Sequence, residues 1–237
     1  MLQQLKEILE NAQSVVFFGG AGVSTGSNIP DFRGNQGLYM GVKRKEDPEN
    51  ILSGRYLQRY PEKFFEYYKA NMIYPDAQPN DAHLALAELE RQGKLKAVIT
   101  QNIDGLHQAG GSKNVIELHG SVMRNHCTRC GKKYPLSYIV SERGVPKCEC
   151  GGIVRPDVVL YGESLDAKAL AKAEEAISSA DVLIVGGTSL TVQPAASLVT
   201  LFRGTHLVII NKTPTPYDRH ADLILRQPIE DVFSISQ

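Results

Sequence analysis

The sequence predicts a doubly wound α/β fold. Apolar runs of four or five residues recur along the 237-residue chain, helical patterns lie between them, and several runs close on glycine or polar clusters. Runs without polar alternation read as strands buried on both faces, and their alternation with helices implies a mostly parallel sheet. In chain order, residues 2 to 12 place Leu2, Leu5, Ile8, Leu9 and Ala12 on one helical face. Val15-Val16-Phe17-Phe18 follows as a strand closed by Gly19-Gly20, and similar runs occupy 96–100, 158–161, 182–185 and 207–210. Shorter strands are read at 115–118 and 223–225. A helix from Asp81 to Gln92 stops at Gly93, Asp166 caps one running to about Ala180, and Pro194 opens one ending at Gly204. Two stretches interrupt the alternation. Residues 31 to 75 are aromatic and charged with no clear strand, and residues 123 to 154 hold all four cysteines; both read as insertions forming a smaller module.

Composition excludes several classes. Lys plus Arg and Asp plus Glu each number 26, a net charge of zero that argues against a general nucleic-acid coat protein. No apolar run approaches the roughly 20 residues that span a bilayer, and the first residues lack the basic-then-apolar pattern of a secretory signal. A cytoplasmic globular protein is the expectation.

Cys127, Cys130, Cys148 and Cys150 form two tight pairs, Cys-x2-Cys and Cys-x-Cys, at zinc-ribbon spacing. Four thiolates fill a tetrahedral sphere and leave no position for water, so one structural zinc per chain is expected. Residues 124–147 carry six Lys and Arg against one Glu, read as compensation for the negative tetrathiolate centre.

After the first strand comes Gly19-Gly20-Ala21-Gly22-Val23-Ser24-Thr25-Gly26. Such glycines let backbone N–H groups approach a phosphate at a helix N-terminus. The strict Gly-x-Gly-x-x-Gly pattern fails at Thr25, and no acidic ribose-binding residue ends a second strand some 20 residues on. A nucleotide is expected, ordinary hydride transfer less so; the plainer reading is a tight turn that binds nothing.

Three polar segments follow predicted strands, where open α/β sheets bind ligands: Thr100-Gln101-Asn102-Ile103-Asp104-Gly105-Leu106-His107, His119-Gly120, and Gly186-Gly187-Thr188-Ser189-Leu190. Ile29-Pro30-Asp31-Phe32-Arg33 stands before them and Arg155-Pro156-Asp157-Val158-Val159-Leu160-Tyr161-Gly162-Glu163 between the last two. In this order and spacing, with the glycine loop and the cysteines, the chain resembles the sirtuin family of NAD-dependent protein deacylases from about residue 13 to 225.

The resemblance implies a Rossmann-like parallel-sheet domain (1–30, 76–122 and 155–237) and a smaller inserted domain of zinc ribbon plus helices, made of the helical and cofactor-loop insertion 31–75 and the zinc module 123–154. Substrates would lie in the cleft between them. Ala21, Thr25 and Arg33 would touch NAD phosphates and ribose, and Phe32 would cover the nicotinamide end. Gln101, Asn102, Ile103 and Asp104 would surround the nicotinamide ribose and amide. Gly187, Thr188, Ser189, Asn211 and Lys212 would hold the adenosine half, with Ile229 beside them. Val159, Tyr161 and Val192 would line an acyl-lysine tunnel. The catalytic group would be His119, Asn102 and Asp104, with His119 also contacting NAD.

The implied chemistry is consistent on its own terms. Cleaving the nicotinamide–ribose bond develops positive character at the ribose carbon, which the acyl-lysine amide oxygen can capture if held in line while water is excluded. A base must then take a proton from a ribose hydroxyl, and imidazole titrates near neutrality, so His119 is the candidate. Its plainer reading is a strand-end histidine bonded to backbone, and that of Asp104 is a helix N-cap. His107 reads as structural.

The sequence departs from the family pattern at Asn28, where Gly is usual and Asn still tolerates positive φ. It departs also at Gly26, where a larger polar residue is common, and in the Cys-x-Cys pair. The expected reaction converts NAD and an acetyl-lysine protein or peptide into lysine, nicotinamide and O-acetyl-ADP-ribose, with neither membrane nor nucleic acid required. The rivals are ADP-ribosyl transfer or NAD hydrolysis on the same scaffold, and a non-enzymatic zinc-ribbon binding module. Acetyl is expected over succinyl or malonyl, because residues 64–72 lack the Tyr-x-x-Arg pair of the branch that takes acidic acyl groups; Lys69 is the one possible substitute cation.

Overall fold

The computed structural model describes residues 1–31 and 47–234. Helix α1 (Leu2–Asn11) leads into β1 (Val15–Gly19), followed by 3-10 turns at Ala21–Val23 and Thr25–Ser27. Three helices come next: α2 (Pro48–Ile51), α3 (Gly54–Arg59) and α4 (Pro61–Asn71). Then follow α5 (Asp81–Arg91), β2 (Leu95–Thr100), α6 (Leu106–Ala109) and β3 (Val115–Glu117). The cysteine region contributes β4 (Gly120–Cys127), β5 (Lys133–Pro135), α7 (Leu136–Ser141) and β6 (Val154–Val158). The chain returns through α8 (Ala167–Ser179), β7 (Val182–Gly186), a 3-10 stretch at Ala195–Leu201, β8 (His206–Ile210), β9 (Leu223–Leu225) and α9 (Ile229–Ser234).

Six strands form one sheet in the order β3-β2-β1-β7-β8-β9, with every neighbouring pair parallel. The chain winds to one side of β1 through β2 and β3 and to the other through β7, β8 and β9, which gives the Rossmann-like switch point between β1 and β7. Every residue of β1 and β7 is buried, which is why both read as unbroken apolar runs. One face of the sheet is covered by α1, α5 and α9, through Leu5, Ile8, Leu86, Val232 and Phe233. The other is covered by α8 and the Ala195–Leu201 stretch, through Ala173, Ile177, Leu198 and Val199. Asp166 caps α8 by accepting the Ala169 N–H at 2.8 Å, as its place in the sequence predicts.

A second, antiparallel sheet has the order β5-β4-β6. It shares a core with α2, α3 and α4 in which Phe64, Phe65, Tyr68, Ile139 and Val154 are almost wholly enclosed. This corrects two sequence expectations. The run 158–161 is not a strand of the parallel sheet: only Val158 belongs to a strand, the half-buried β6, which pairs antiparallel with β4, and residues 159 and 160 are loop before Tyr161 bridges to Ser53. The segment after Pro194 is a seven-residue 3-10 stretch rather than an α-helix. Among the described residues no helix is long and apolar enough to cross a membrane.

Candidate active site

The parallel register sets Gly19 abreast of Thr100 on one side and of Gly186 on the other. The loops leaving β1, β2 and β7 therefore emerge together. The glycine loop lies directly on the loop after β7: Gly20 N–H donates to Gly186 O at 3.2 Å and Gly22 N–H to Gly187 O at 2.8 Å. A Cβ at Gly22 would stand 2.8 Å from Gly187 Cα, and Gly187 holds φ +57°, so both positions demand glycine. This refines the sequence expectation. The glycines serve first to let two main chains touch, and the loop continues into two 3-10 turns rather than a helix N-terminus. Asn28 ends the second turn at φ 62°, the left-handed conformation its side chain tolerates.

Ser24, a buried residue of the loop itself, joins segments distant in sequence. Its hydroxyl donates to Asp104 Oδ2 at 2.7 Å and accepts from Asn102 Nδ2 at 3.0 Å. Asp104 also accepts the Leu106 N–H at 2.9 Å, but it is not the N-cap its plainer reading expects: Gly105 holds that position, and Asp104 stands one residue before it. Burial raises the Asp104 carboxyl above its ordinary range, against the hydrogen bonds from Leu106 and Ser24. Gln101 ties the β2 loop to the β7 loop, with Nε2 donating to Thr188 Oγ1 at 3.1 Å. Ile103 O accepts from Val122 N at 2.9 Å, anchoring the loop to β4.

His119 Nδ1 lies 2.9 Å from Gln101 O. A carbonyl only accepts, so Nδ1 carries the proton and Nε2 keeps its lone pair in the neutral ring. Burial lowers the His119 pKa below the ordinary 6.5, opposed by that backbone bond. The plainer reading of His119 as a histidine bonded to backbone therefore holds, and the same bond leaves Nε2 unprotonated in the neutral ring.

The remaining predicted residues divide. Ala21 and Thr25 are partly exposed on the glycine loop, and Thr25 Oγ1 donates to Gly22 O at 3.0 Å. Ser189 is partly exposed and Lys212 exposed, and Asn211 is buried with Nδ2 donating to Thr213 O at 2.8 Å. Ile229 does not present its side chain to the crevice: it is 2% exposed and packs under Gly186 in the core. Val159 and Val192 are partly exposed and Tyr161 is exposed. Phe32 and Arg33 lie outside the described residues.

The loop carrying Val159 and Tyr161 is fixed from several sides. Val159 N–H donates to His119 O at 3.0 Å, and Tyr161 N–H to Leu52 O at 3.0 Å. Arg155 grips Glu163 with two nitrogens at 2.6 and 2.9 Å and also donates to Val158 O. Glu163 accepts the Leu160 N–H at 2.9 Å. A cleft of about 460 Å³ lies beside β3 and β6; of the predicted site residues only Val159 lines it.

Sequence reading gave no individual role to Ser24 or Asn80. Asn80 caps α5 by accepting from Ala82 N, while its Nδ2 donates to Val23 O at 2.8 Å and Ser27 Oγ at 3.0 Å, holding the glycine loop from behind. Its place one residue before the helix was a readable capping signal; its grip on a loop over 50 residues away was not. Behind it, His83 and His107 are wholly buried with ring centroids 4.7 Å apart. Burial lowers their pKa values to about 4 and about 3.

The four cysteines converge. Their sulfurs all lie within 4.8 Å of one another, with Cys127–Cys150 at 3.4 Å and Cys130–Cys148 at 3.6 Å. Zinc–sulfur bonds of about 2.3 Å place tetrahedral sulfurs roughly 3.8 Å apart, so the set fits the metal. A Cβ at Gly152 would stand 2.6 Å from Cys127 Sγ, so glycine there makes room for the ligand. The tetrad is positioned to bind a structural metal, and β4 runs from beside His119 directly to Cys127.

The Sir2 family model matches residues 20–194. The chain belongs to the Sir2 family. Among Sir2 relatives, an NAD-dependent protein deacetylase of Clostridium perfringens is 56% identical over 234 residues, covering 98% of this chain and 96% of that protein. Another, of Cutibacterium acnes, is 53% identical over 236 residues, covering 99% of this chain and 97% of that one. A solved structure of Sir2 with a p53 peptide and NAD+ is 38% identical with a TM-score of 0.88, over 99% of this chain and 96% of its own. A Sir2 complex with an inhibitor, 2'-O-acetyl-ADP-ribose and a deacetylated p53 peptide has a TM-score of 0.86 at 38% identity, over 98% and 96%.

Two predictions follow from this geometry. Elemental analysis of chelator-free protein should find one zinc per chain. Cys148→Ala should lose it and speed hydrogen exchange through β4, β5 and β6; a variant that keeps its zinc would exclude the tetrad as the site. Separately, the unfolded chain protonates His83 and His107 near 6.5, whereas the fold keeps them neutral down to about 4 and about 3. The unfolded state binds more protons across that window, so stability falls as pH drops below 6.5, by up to about 1.4 kcal/mol per unit for each group. Urea midpoints from pH 7 to pH 4.5 should show this, and His107→Leu should flatten the slope relative to wild type.

Proposed function

We propose that this chain is an NAD-dependent protein-lysine deacetylase, converting NAD and acetyl-lysine to lysine, nicotinamide and O-acetyl-ADP-ribose. The observation that carries the reading is the meeting of Ser24, Asn102, Asp104 and a neutral His119 beside the glycine loop, at the switch point of the sheet. Relatives bearing that activity match almost the whole chain. The working division is a dinucleotide domain of 1–30, 76–122 and 155–237 with a small domain of 31–75 and 123–154. A cytoplasmic setting suits a tetrad whose cysteines must stay reduced to hold zinc.

The residues fit a dinucleotide. Glycines leave main chain along the crevice, and Gln101, Asn102, Asp104, Ser189, Asn211 and Lys212 bring polar groups to the loops after β2, β7 and β8. NAD, when bound, supplies an electrophilic ribose carbon and a leaving nicotinamide. Ala21, Thr25 and Arg33 would hold its phosphates and ribose, with Phe32 over the nicotinamide end. Gln101, Asn102, Ile103 and Asp104 would hold the nicotinamide ribose and amide. Gly187, Thr188, Ser189, Asn211 and Lys212 would hold the adenosine half; Ile229 would join them only through main chain. Ser24 keeps Asn102 and Asp104 in fixed orientation, so no reorganisation is needed when substrate enters. His119 Nε2 takes a proton from the attacking ribose hydroxyl, with Nδ1 held at Gln101 O throughout. Val159, Tyr161 and Val192 would enclose the acyl-lysine and exclude water.

Incubation with NAD and an acetyl-peptide, followed by product mass analysis, tests the whole reading. O-acetyl-ADP-ribose is expected; ADP-ribose alone or on protein would point to hydrolysis or ADP-ribosyl transfer instead. His119→Ala should bind NAD normally but lose about 10²–10⁴-fold in turnover. Because the neutral ring is the active form and its pKa is depressed, the wild-type rate should rise with pH and level off, its acid limb lying below 6.5. An acid limb above 6.5 would assign it to another group. Acetyl should exceed succinyl in kcat/KM. A carboxylate entering the tunnel must shed water and needs a paired charge, and Lys69 is engaged elsewhere, donating to Glu142 O at 2.6 Å and Gly144 O at 3.0 Å. A higher value for succinyl would overturn this.

A further inference from the structure

We propose that the groove between α3 and α4 is a docking site for acidic residues flanking the acyl-lysine of a protein substrate; this rests on the deacetylase reading. The groove measures about 370 Å³ and is lined by Asn50, Arg55, Tyr56, Arg59, Tyr60 and Lys63. It brings three cations together, and no described carboxylate lines it. Glu62 and Glu66, on the same helix as Lys63, are exposed and take no part in the lining. In a chain whose net charge is zero this is a local excess.

The cations are not all committed. Arg55 is exposed, and its side chain makes no hydrogen bond or ion pair among the described residues. Arg59 is exposed and lies 5.3 Å from the centre of the Tyr60 ring, its one described side-chain contact. Lys63, 5.6 Å from the same ring, has a further partner of its own, so Arg55 and Arg59 carry the proposal. Tyr60 is 42% exposed and adds aromatic surface to the groove, with Arg59 and Lys63 beside its ring. Guanidinium groups on such a rim present forked donors that match carboxylate geometry.

Position selects the occupant. Gly54 N–H donates to Tyr161 O at 3.2 Å, and Ser53 pairs with Tyr161 as an isolated parallel bridge. Arg55 therefore begins one residue from the strand-like contact to the loop assigned to the acyl-lysine. A peptide whose acyl-lysine enters beside Tyr161 could lay its flank across α3 into the groove. A concavity of this size takes a few side chains, and balanced charge elsewhere does not favour a long polyanion.

The test separates the groove from the chemistry. Fluorescence anisotropy measures binding of a labelled Glu-rich peptide without acyl-lysine to the full chain and to the double variant Arg55→Glu, Arg59→Glu, with matched thermal melts as the folding control. Wild type should bind at low salt, about three- to tenfold more tightly than the double variant, with the difference shrinking at high salt. Next, kcat/KM is compared for acetyl-lysine peptides with Glu-rich or Gln-rich flanks. Wild type should favour the Glu-rich flank through KM, the double variant should treat the two alike, and the Gln-flanked value and the KM for NAD should be unchanged. Equal binding by the double variant, or no flank preference in wild type, overturns the proposal. Tighter binding of a single-stranded oligonucleotide of equal charge, lost in the double variant, overturns the choice of a peptide partner. Selective binding of the Glu-rich peptide without turnover of either acetyl-peptide supports the groove and counts against the deacetylase reading.

Discussion

Everything at the candidate site depends on β1 being paired in parallel on both sides. Parallel strands cannot be joined by tight turns, so each crossover must run back over a face of the sheet, and all carboxyl ends collect at one edge. Setting Gly19 level with Thr100 and Gly186 places three loops within contact of one another before any side chain acts. Glycine at 22 and 187 then lets two of those loops meet main chain to main chain. A side chain at either position would push the loops apart and open the crevice floor.

On that floor the polar groups hold one another. Ser24 links Asn102 to Asp104, Gln101 links the β2 and β7 loops, and Asn80 braces the glycine loop from behind. A partly buried network of this kind is preorganised, which is what makes fixed dipoles effective in a site screened from solvent. His119 sits at its margin with one nitrogen committed to backbone, and burial keeps the ring neutral. The same His119 accepts the Val159 N–H through its carbonyl, so the proposed base and the loop proposed to hold the acyl-lysine share one anchor. The Arg155–Glu163 pair closes that loop, and β4 connects the anchor to the cysteine tetrad. A metal bound there would stiffen β4 and, through it, the far wall of the cleft.

The sequence by itself determined the alternation of buried strands and helices, because burial on both faces of β1 and β7 leaves short unbroken apolar runs set between helical patterns. It also determined the metal tetrad, since ligand type and spacing are local properties. It misplaced 158–161, where four apolar-looking residues in fact alternate between core and surface as the chain leaves β6; composition alone does not distinguish a parallel core strand from the end of a half-buried edge strand and the loop that follows it. It left the 3-10 form of the Ala195–Leu201 stretch unread, because Pro194 marks where a helix opens and not how tightly it winds. What only the tertiary structure decided are the partners. Ser24 meets Asp104 across 80 residues, Asn80 meets Val23 across 57, and Lys69 is spent on the carbonyls of 142 and 144 rather than on a ligand. A hydrogen bond is set by distance and direction in space, and no local pattern in the chain encodes which of its many distant polar groups will be brought within three ångströms.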